Sequence, residues 1–125
     1  DAGGIVYHAS YLRWFERARS DMLRLAGIDQ RAALEAGEGG YAVADLSIRY
    51  RAPARLGDPV LIETRTLEIG AASLRMRQEA RRGGALLCEA EIRVGFIDSD
   101  GRPRRHPAHW RARFEPLLDP SERLP

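Results

Sequence analysis

The spacing of apolar residues changes once along the chain, near residue 40, from a helical repeat to strict alternation. Before that point the repeat predicts one amphipathic helix over about 8–26. Its apolar positions, three or four residues apart, are Tyr11, Phe15, Ala18, Met22 and Leu25. Gly27 fits the left-handed position that ends a helix, and a second, short helix is expected over 29–37.

After residue 40, alternating apolar and polar positions predict strands over 42–50, 60–69, 73–81 and 85–97. In the first strand the residues assigned to the apolar face are Ala42, Ala44, Leu46, Ile48 and Tyr50. In the third they are Leu74, Met76, Gln78 and Ala80, and in the fourth Leu86, Cys88, Ala90, Ile92, Val94 and Phe96. The Gly83-Gly84 pair predicts a hairpin turn between the last two strands.

One long helix and one curved antiparallel sheet can bury each other's apolar faces. The sequence therefore predicts an α+β fold of two layers, as a single domain over 1–125, with a short helix near 108–115. Four strands are too few to close a barrel, so the sheet edges need cover. We therefore expect a homodimer at least, and a homotetramer as its extension.

Composition excludes several classes of function. Cys88 is the single cysteine, which rules out an internal disulfide framework and a cysteine-rich zinc site and favours a reducing, cytoplasmic location. No apolar run approaches the ~20 residues of a membrane helix, so no membrane insertion is expected. All 20 basic residues are arginine and are spread along the chain, which argues against nucleic-acid binding. Without lysine, Schiff-base chemistry is impossible.

The first residues of the chain combine an acid, two glycines and a histidine. Asp1 precedes Gly3 and Gly4, a short apolar run follows, and the predicted helix opens on His8. A helix N-terminus carries roughly half a positive charge and unpaired N–H groups, so it can polarise a carbonyl oxygen. This arrangement suits attack on an activated acyl group.

The same residues resemble the signature of hotdog-fold acyl-CoA thioesterases. The string runs Asp1-x-Gly3-Gly4-x-Val6-Tyr7-His8-x-x-Tyr11-Leu12-x-x-Phe15-Glu16-Arg17-Ala18-Arg19. The most similar group is the 4-hydroxybenzoyl-CoA thioesterase type, in particular the branch associated with the Tol-Pal envelope system. Two further strings resemble that branch: Arg49-Tyr50-x-x-Pro53-Ala54-x-x-Gly57-Asp58 and Pro103-x-Arg105-x-Pro107.

The resemblance implies a hotdog fold, in which an antiparallel sheet wraps around one central helix. It also implies a homodimer with a continuous sheet, and often a tetramer made of two dimers. By the same resemblance Asp1 matches the catalytic aspartate, and His8 matches a histidine near the active site. The family normally has a strand before this aspartate, so we expect the sequence to be a fragment that begins after it.

Thioester hydrolysis needs a polarised carbonyl, an attacking oxygen and a departing thiolate. The residues assigned to the oxyanion site and to substrate binding are Gly4, Val6, Tyr7 and His8. Asp1 acts as nucleophile, giving a mixed anhydride, or as general base on water, and the sequence does not separate the two. His8 is assigned to positioning in its neutral form. No metal and no cofactor is expected beyond the coenzyme A of the substrate.

Other charged residues have competing interpretations. Glu16 is a rival for the catalytic acid, although Arg13 and Arg19 at three residues on either side favour an ion pair on a solvated helix. Cys88 is expected to be a core thiol. A last set either grips the phosphates of coenzyme A or belongs to a solvated surface: Arg102, Arg104 and Arg105. The segment 98–101 is read as a turn and not as a metal loop.

Two functions of different class follow from these residues. The first is an acyl-CoA thioesterase that acts on a short-chain or aromatic acyl group. The second is a non-catalytic hotdog module that binds acyl-CoA or a partner protein. The intact string from Asp1 to His8 favours the enzyme, because a binding module has no need of the acid. The preferred acyl group does not follow from the sequence.

Overall fold

The computed structural model describes residues 8–55 and 57–119, with the side chains of His8 and Ala9 outside that description. Helix α1 spans His8–Leu25 and helix α2 spans Gln30–Glu35. The strands are β1 (Gly40–Tyr50), β2 (Leu61–Ile69), β3 (Ser73–Arg82) and β4 (Ala85–Ile97). The chain continues through a 3-10 turn (Ala108–Trp110), helix α3 (Arg111–Phe114) and a second 3-10 turn (Glu115–Leu117). These bounds confirm the predicted order of elements.

Helix α1 packs one face on the sheet and ends where the sequence predicts. Gly27, at φ 85°, follows the helix. Its N–H donates to the carbonyl of Arg24 at 3.0 Å, and the N–H of Ile28 donates to the carbonyl of Leu23 at 2.9 Å. These two bonds form the Schellman cap that glycine favours. The predicted stripe is wrong at Leu25, which is 79% exposed, because a 3.6-residue repeat brings Leu23 onto the buried face instead.

The four strands form one antiparallel sheet in the order β1-β4-β3-β2. The predicted inner face of β3 is confirmed, and that of β4 is confirmed from Cys88 to Phe96. It is wrong at Leu86, because a register shift after Ala80 pairs Leu86 with Arg81 and leaves Leu87 fully buried instead.

In β1 the alternation is interrupted between Val43 and Asp45, where the pairing with β4 shifts by one residue. This bulge puts Val43 opposite the buried Val94 and turns Ala42 to the outer face. The predicted apolar face of β1 is therefore wrong at Ala42, since a bulge reverses the alternation on one side of it, and Ala44 lies in the bulge itself, outside the register with β4.

The outer face of the sheet carries five of the arginines in ion pairs. Neighbouring strands carry arginine opposite acid, as in Arg51–Glu89 at 3.3 Å and Arg93–Asp45 at 2.5 Å. Further ion pairs across this face are Arg75–Glu91, Arg77–Glu79, Arg77–Glu89, Arg81–Glu79 and Arg81–Glu63. Among the described residues of this face, arginine therefore alternates with acid, which differs from the continuous basic surface that binds a phosphate backbone.

The C-terminal segment lies across the end of the sheet and closes the core. Trp110 and Phe114 are buried, and the ring of Trp110 stacks on Tyr41 of β1 at 6.1 Å between centroids. The short helix expected near 108–115 is confirmed in position, as mixed 3-10 and α turns. Among the residues in these ranges, no helix is long and apolar enough to span a membrane.

Candidate active site

The start of α1 is the structural feature around which the predicted site is organised. The helix begins at His8, as the sequence predicts. The N–H groups of its first turn have no partner within the helix, as in every α-helix. Asp1, Gly4, Val6 and Tyr7 lie outside the described residues, and so does the side chain of His8. Their assignment to the acid, the oxyanion site and substrate binding stays a prediction.

The first turn of α1 rests on the last residue of β1. The rings of Tyr11 and Tyr50 are 5.9 Å apart between centroids. Tyr11 is 3% exposed, and its hydroxyl oxygen is buried. Burial, and then the neighbouring Cys88, raise the pKa of Tyr11 above its ordinary value. The contact fixes which end of the sheet carries the helix start: the end where β1 finishes.

The loop after β1 is fastened beside this contact by Asp58. Its Oδ2 accepts hydrogen bonds from the backbone N–H of Arg55 and from the guanidinium of Arg82, both at 2.8 Å. The Arg55 bond, and then the Arg82 bond, hold the pKa of Asp58 below its usual range. Asp58 is the last residue of the string that begins at Arg49 and carries part of the family resemblance. This string therefore ends on a residue that shapes the loop near the start of α1.

A cavity of about 300 Å³ lies between the middle of α1 and the first half of β1. Its wall includes Glu16 and Arg19 of the helix and Tyr41 and Val43 of the strand. The site prediction did not include this cavity. The one sequence signal that pointed to it was Gln78, a polar residue on the otherwise apolar face of β3, which binds Arg19 at 2.9 Å.

The predicted ion pair on the helix around Glu16 is not formed. Arg19 turns inward to Gln78, and Arg13 donates to the hydroxyl of Ser10 at 3.4 Å. Glu16 is exposed at the edge of the cavity and forms no ion pair with any described residue. Arg19 bonds to Gln78 and not to Glu16, because the amide of Gln78 is already fixed by burial, whereas an ion pair would have to order the exposed side chain of Glu16.

The three arginines proposed for phosphate binding follow β4, at the end of the sheet away from the start of α1. All three are exposed, and Arg104 donates to the carbonyl of Gly37 at 3.0 Å. Ile97, which precedes them, pairs with Gly40 at the beginning of β1. Since β1 runs from there to Tyr50, these arginines lie about 30 Å from the helix start of their own chain.

Two further predictions concern residues outside the site. Cys88 is fully buried, which confirms it as a core thiol, and burial raises its pKa to about 11. The predicted turn at 98–101 is also present. The Oδ1 atom of Asp98 accepts from the N–H groups of Asp100 at 2.9 Å and Arg102 at 3.0 Å, so this carboxylate organises the loop.

Comparison with known proteins agrees with this architecture. The thioesterase-like superfamily model matches residues 1–118. The chain is 36% identical over 118 residues to the acyl-CoA thioesterase YbgC of Haemophilus influenzae, a match that covers 94% of this chain and 87% of that protein. It is 39% identical over 117 residues to the acyl-CoA thioester hydrolase YbgC of Escherichia coli O157:H7, covering 92% and 87%.

Among solved structures, a probable thioesterase from Bartonella henselae superposes with a TM-score of 0.78 at 33% identity, over 86% of this chain and 89% of that one. The sheet order and the single long helix agree with the expected hotdog fold of class α+β. With a family model that matches nearly its whole length, this chain belongs to the thioesterase-like superfamily.

Proposed function

We propose that this protein hydrolyses the thioester bond of an acyl-CoA to the free acid and coenzyme A. The observation that carries the proposal is the start of α1 at His8, directly after the Asp1–Tyr7 string, in a chain of the thioesterase-like superfamily. The acyl-CoA thioesterases named among its relatives support the same substrate class.

The chemistry needs few groups. First-turn N–H groups of α1 stabilise the negative charge that develops on the thioester oxygen. The Asp1 carboxylate either attacks the carbonyl carbon or takes a proton from the attacking water. In both routes the C–S bond breaks, one water is consumed, and coenzyme A leaves as a thiolate. An alkyl thiol has a pKa near ~8.5, so no strong general acid and no resident metal is required.

A homodimer built on β1 completes the sheet. β1 is an edge strand of 11 residues. Large apolar side chains on its inner face are exposed to solvent. Val43 is 52% exposed, Leu46 45% and Tyr50 39%. A long apolar edge strand recruits another strand unless it is covered. We therefore propose that two copies pair their β1 strands antiparallel about a two-fold axis, with a tetramer as a further assembly.

This pairing brings the separated parts of the site together. In an antiparallel pair centred near Leu46, the last residues of one β1 lie beside the first residues of the other. The helix start of one protomer, which rests on Tyr50, then faces the cavity lined by the partner's Tyr41 and the partner's Val43. Each active site therefore takes its acid from one protomer and its acyl cavity from the other.

The same symmetry gives the arginines after β4 a role. Arg102, Arg104 and Arg105 are about 30 Å from their own helix start, yet they adjoin the beginning of β1 and hence the partner's helix start. A guanidinium matches phosphate oxygens well. We propose that they bind the phosphates of a coenzyme A whose thioester lies at the partner's α1.

Two finer assignments are also proposals. The first is that the chain is of the 4-hydroxybenzoyl-CoA type and its Tol-Pal-associated branch, which the strings beginning at Asp1, Arg49 and Pro103 support. The buried free thiol of Cys88 favours the reducing cytoplasm.

The test is a steady-state hydrolysis assay with a panel of short-chain, medium-chain and aromatic acyl-CoA thioesters. Turnover, measured as release of the free thiol of coenzyme A, is expected for at least one thioester of the panel. Binding of acyl-CoA without turnover across the whole panel would favour the non-catalytic hotdog module instead.

A further inference from the structure

Gln78 is a polar side chain placed in the centre of the apolar inner face of β3, where it is fully buried. Its Nε2 donates to the carbonyl oxygen of Phe15 at 2.8 Å and to Oγ1 of Thr64 at 3.0 Å. Since a carbonyl oxygen only accepts, the amide orientation is set, and Oε1 faces Arg19. A buried amide is costly unless it is bonded at both ends. Gln78 therefore holds the Arg19 guanidinium at a fixed place beside α1.

Arg19 presents unused donors to the cavity between α1 and β1. One of its five N–H groups bonds to Gln78 at 2.9 Å, and no ion pair joins it to a carboxylate among the residues that the structure describes. The side chain is half-buried, and burial lowers its pKa from the ordinary value while Glu16 acts the other way. A guanidinium that is partly desolvated and under-bonded gains from an acceptor that enters the cavity.

The rest of the cavity separates into an apolar floor and a polar wall. Leu23, Met76 and Val94 form the floor, which suits the methylene groups of an acyl chain. Ser20 and Gln30 also line the cavity and add donor groups to those of Arg19. Glu16, the one carboxylate among the described residues that line the cavity, is exposed at the rim, where water weakens its repulsion of an anion.

We propose that this cavity receives the far end of the acyl group and that Arg19 selects acyl groups that end in a carboxylate. The proposal rests on the proposed function, because the thioester must lie at the partner's helix start. Arg19 is about 16 Å along the helix from its own His8, which is too far for a short acyl group bound there. A carboxylate uses the guanidinium fork with two parallel hydrogen bonds, whereas a methyl end leaves the donors unpaired.

The experiment compares hexanoyl-CoA with adipyl-CoA, which have equally long chains and differ in a methyl against a carboxylate end. We expect wild type to show a kcat/KM for adipyl-CoA at least about tenfold above that for hexanoyl-CoA. Arg19→Gln should remove most of this ratio. Arg17→Gln, the same change at an exposed position of the same helix, is the matched control and should keep it. Glu16→Gln should raise the ratio a few-fold, because it removes the rim repulsion.

Gln78→Met tests the positioning role. The variant keeps the guanidinium but loses its anchor, so the adipyl preference should fall while circular dichroism shows a folded chain. If Gln78→Met does not fold, the Arg19→Gln arm decides alone. Equal kcat/KM for the two thioesters in wild type would overturn the inference. An unchanged ratio of kcat/KM for adipyl-CoA to that for hexanoyl-CoA in Arg19→Gln would overturn it as well. So would a preference for 6-hydroxyhexanoyl-CoA over adipyl-CoA. Hydrolysis of none of these esters would instead contradict the proposed function.

Discussion

The hydroxyl of Tyr41 lies 2.8 Å from Nδ1 of His106, and the two rings are 5.6 Å apart between centroids. The other ring nitrogen, Nε2, lies 3.2 Å from the carbonyl oxygen of Ser73. Because that oxygen only accepts, Nε2 carries a proton, and in the neutral ring Nδ1 then accepts from the Tyr41 hydroxyl. His106 therefore joins the C-terminal segment to β1 and to the start of β3.

This contact makes stability depend on pH. Burial lowers the pKa of His106 below its ordinary value, although its backbone hydrogen bonds act in the opposite direction. The unfolded chain then binds a proton at a higher pH than the folded chain, so the stabilisation is complete above about pH 6.5 and is lost as pH falls through the folded pKa. We expect the melting temperature to fall below pH 6.5, and to fall less in His106→Asn. His109→Asn, an exposed histidine three residues on, should keep the wild-type dependence.

Asp1→Asn should lower kcat by at least about 10²-fold, the low end for loss of a general base. The amide keeps the shape of the side chain but lacks the ionised oxygen. The variant is best made in an N-terminally extended chain, so that no free α-amine lies beside the carboxylate. Affinity for a non-hydrolysable acyl-CoA analogue should change little. If Glu16→Gln abolishes turnover while Asp1→Asn stays near wild type, the acid lies on the helix.

Leu46→Glu should convert the dimer to monomer and abolish hydrolysis with it. A charge at the centre of the β1 edge opposes its own copy across the two-fold axis, and like charges that face each other destabilise a strand pair. Leu61→Glu, at an exposed leucine on the edge strand β2, is the control. Light scattering gives the assembly. If the wild-type protein is monomeric at micromolar concentration, the proposal of an active site shared between two protomers is wrong.

Mixing two inactive variants should restore activity if the site is shared. Asp1→Asn removes the acid, and Ser20→Trp fills the cavity from an exposed position on α1. A mixed dimer keeps one intact site, with the acid from one protomer and the cavity from the other, so random mixing should recover about a quarter of wild-type activity. No recovery in mixed dimers isolated with two affinity tags would place both parts in one protomer.

The variant with Arg102, Arg104 and Arg105 all changed to alanine should raise KM for acyl-CoA about tenfold or more and lower kcat less. Phosphate binding by these residues is the same in the ground state and the transition state, so its loss appears mainly in KM. A thioester of the same acyl group with a short thiol that lacks phosphates is the control substrate. An unchanged KM for acyl-CoA would remove these arginines from the site.

The local spacing of apolar residues was sufficient to predict the secondary structure. Helix α1 and the four strands follow from periodicity, because burial of one face imposes a repeat of 3.6 or 2 residues on the chain itself. Gly27 set the helix end in the same way, through a backbone angle that glycine adopts without a steric penalty. The string from Asp1 to Tyr7 also came from sequence, and its part in catalysis stays a prediction.

What the sequence left open depends on residues that are far apart in the chain. The bulge at Ala44 is set by the pairing of β1 with β4, so alternation within β1 alone assigned Ala42 to the wrong face. Arg19 and Gln78 are 59 residues apart, and the gain from a buried amide outweighed the expected ion pair with Glu16. Sequence periodicity therefore determined which elements form and, away from the bulges, which faces they bury. Only the tertiary structure decided which polar groups meet between them, because a hydrogen bond needs two groups placed within about 3 Å by different parts of the chain.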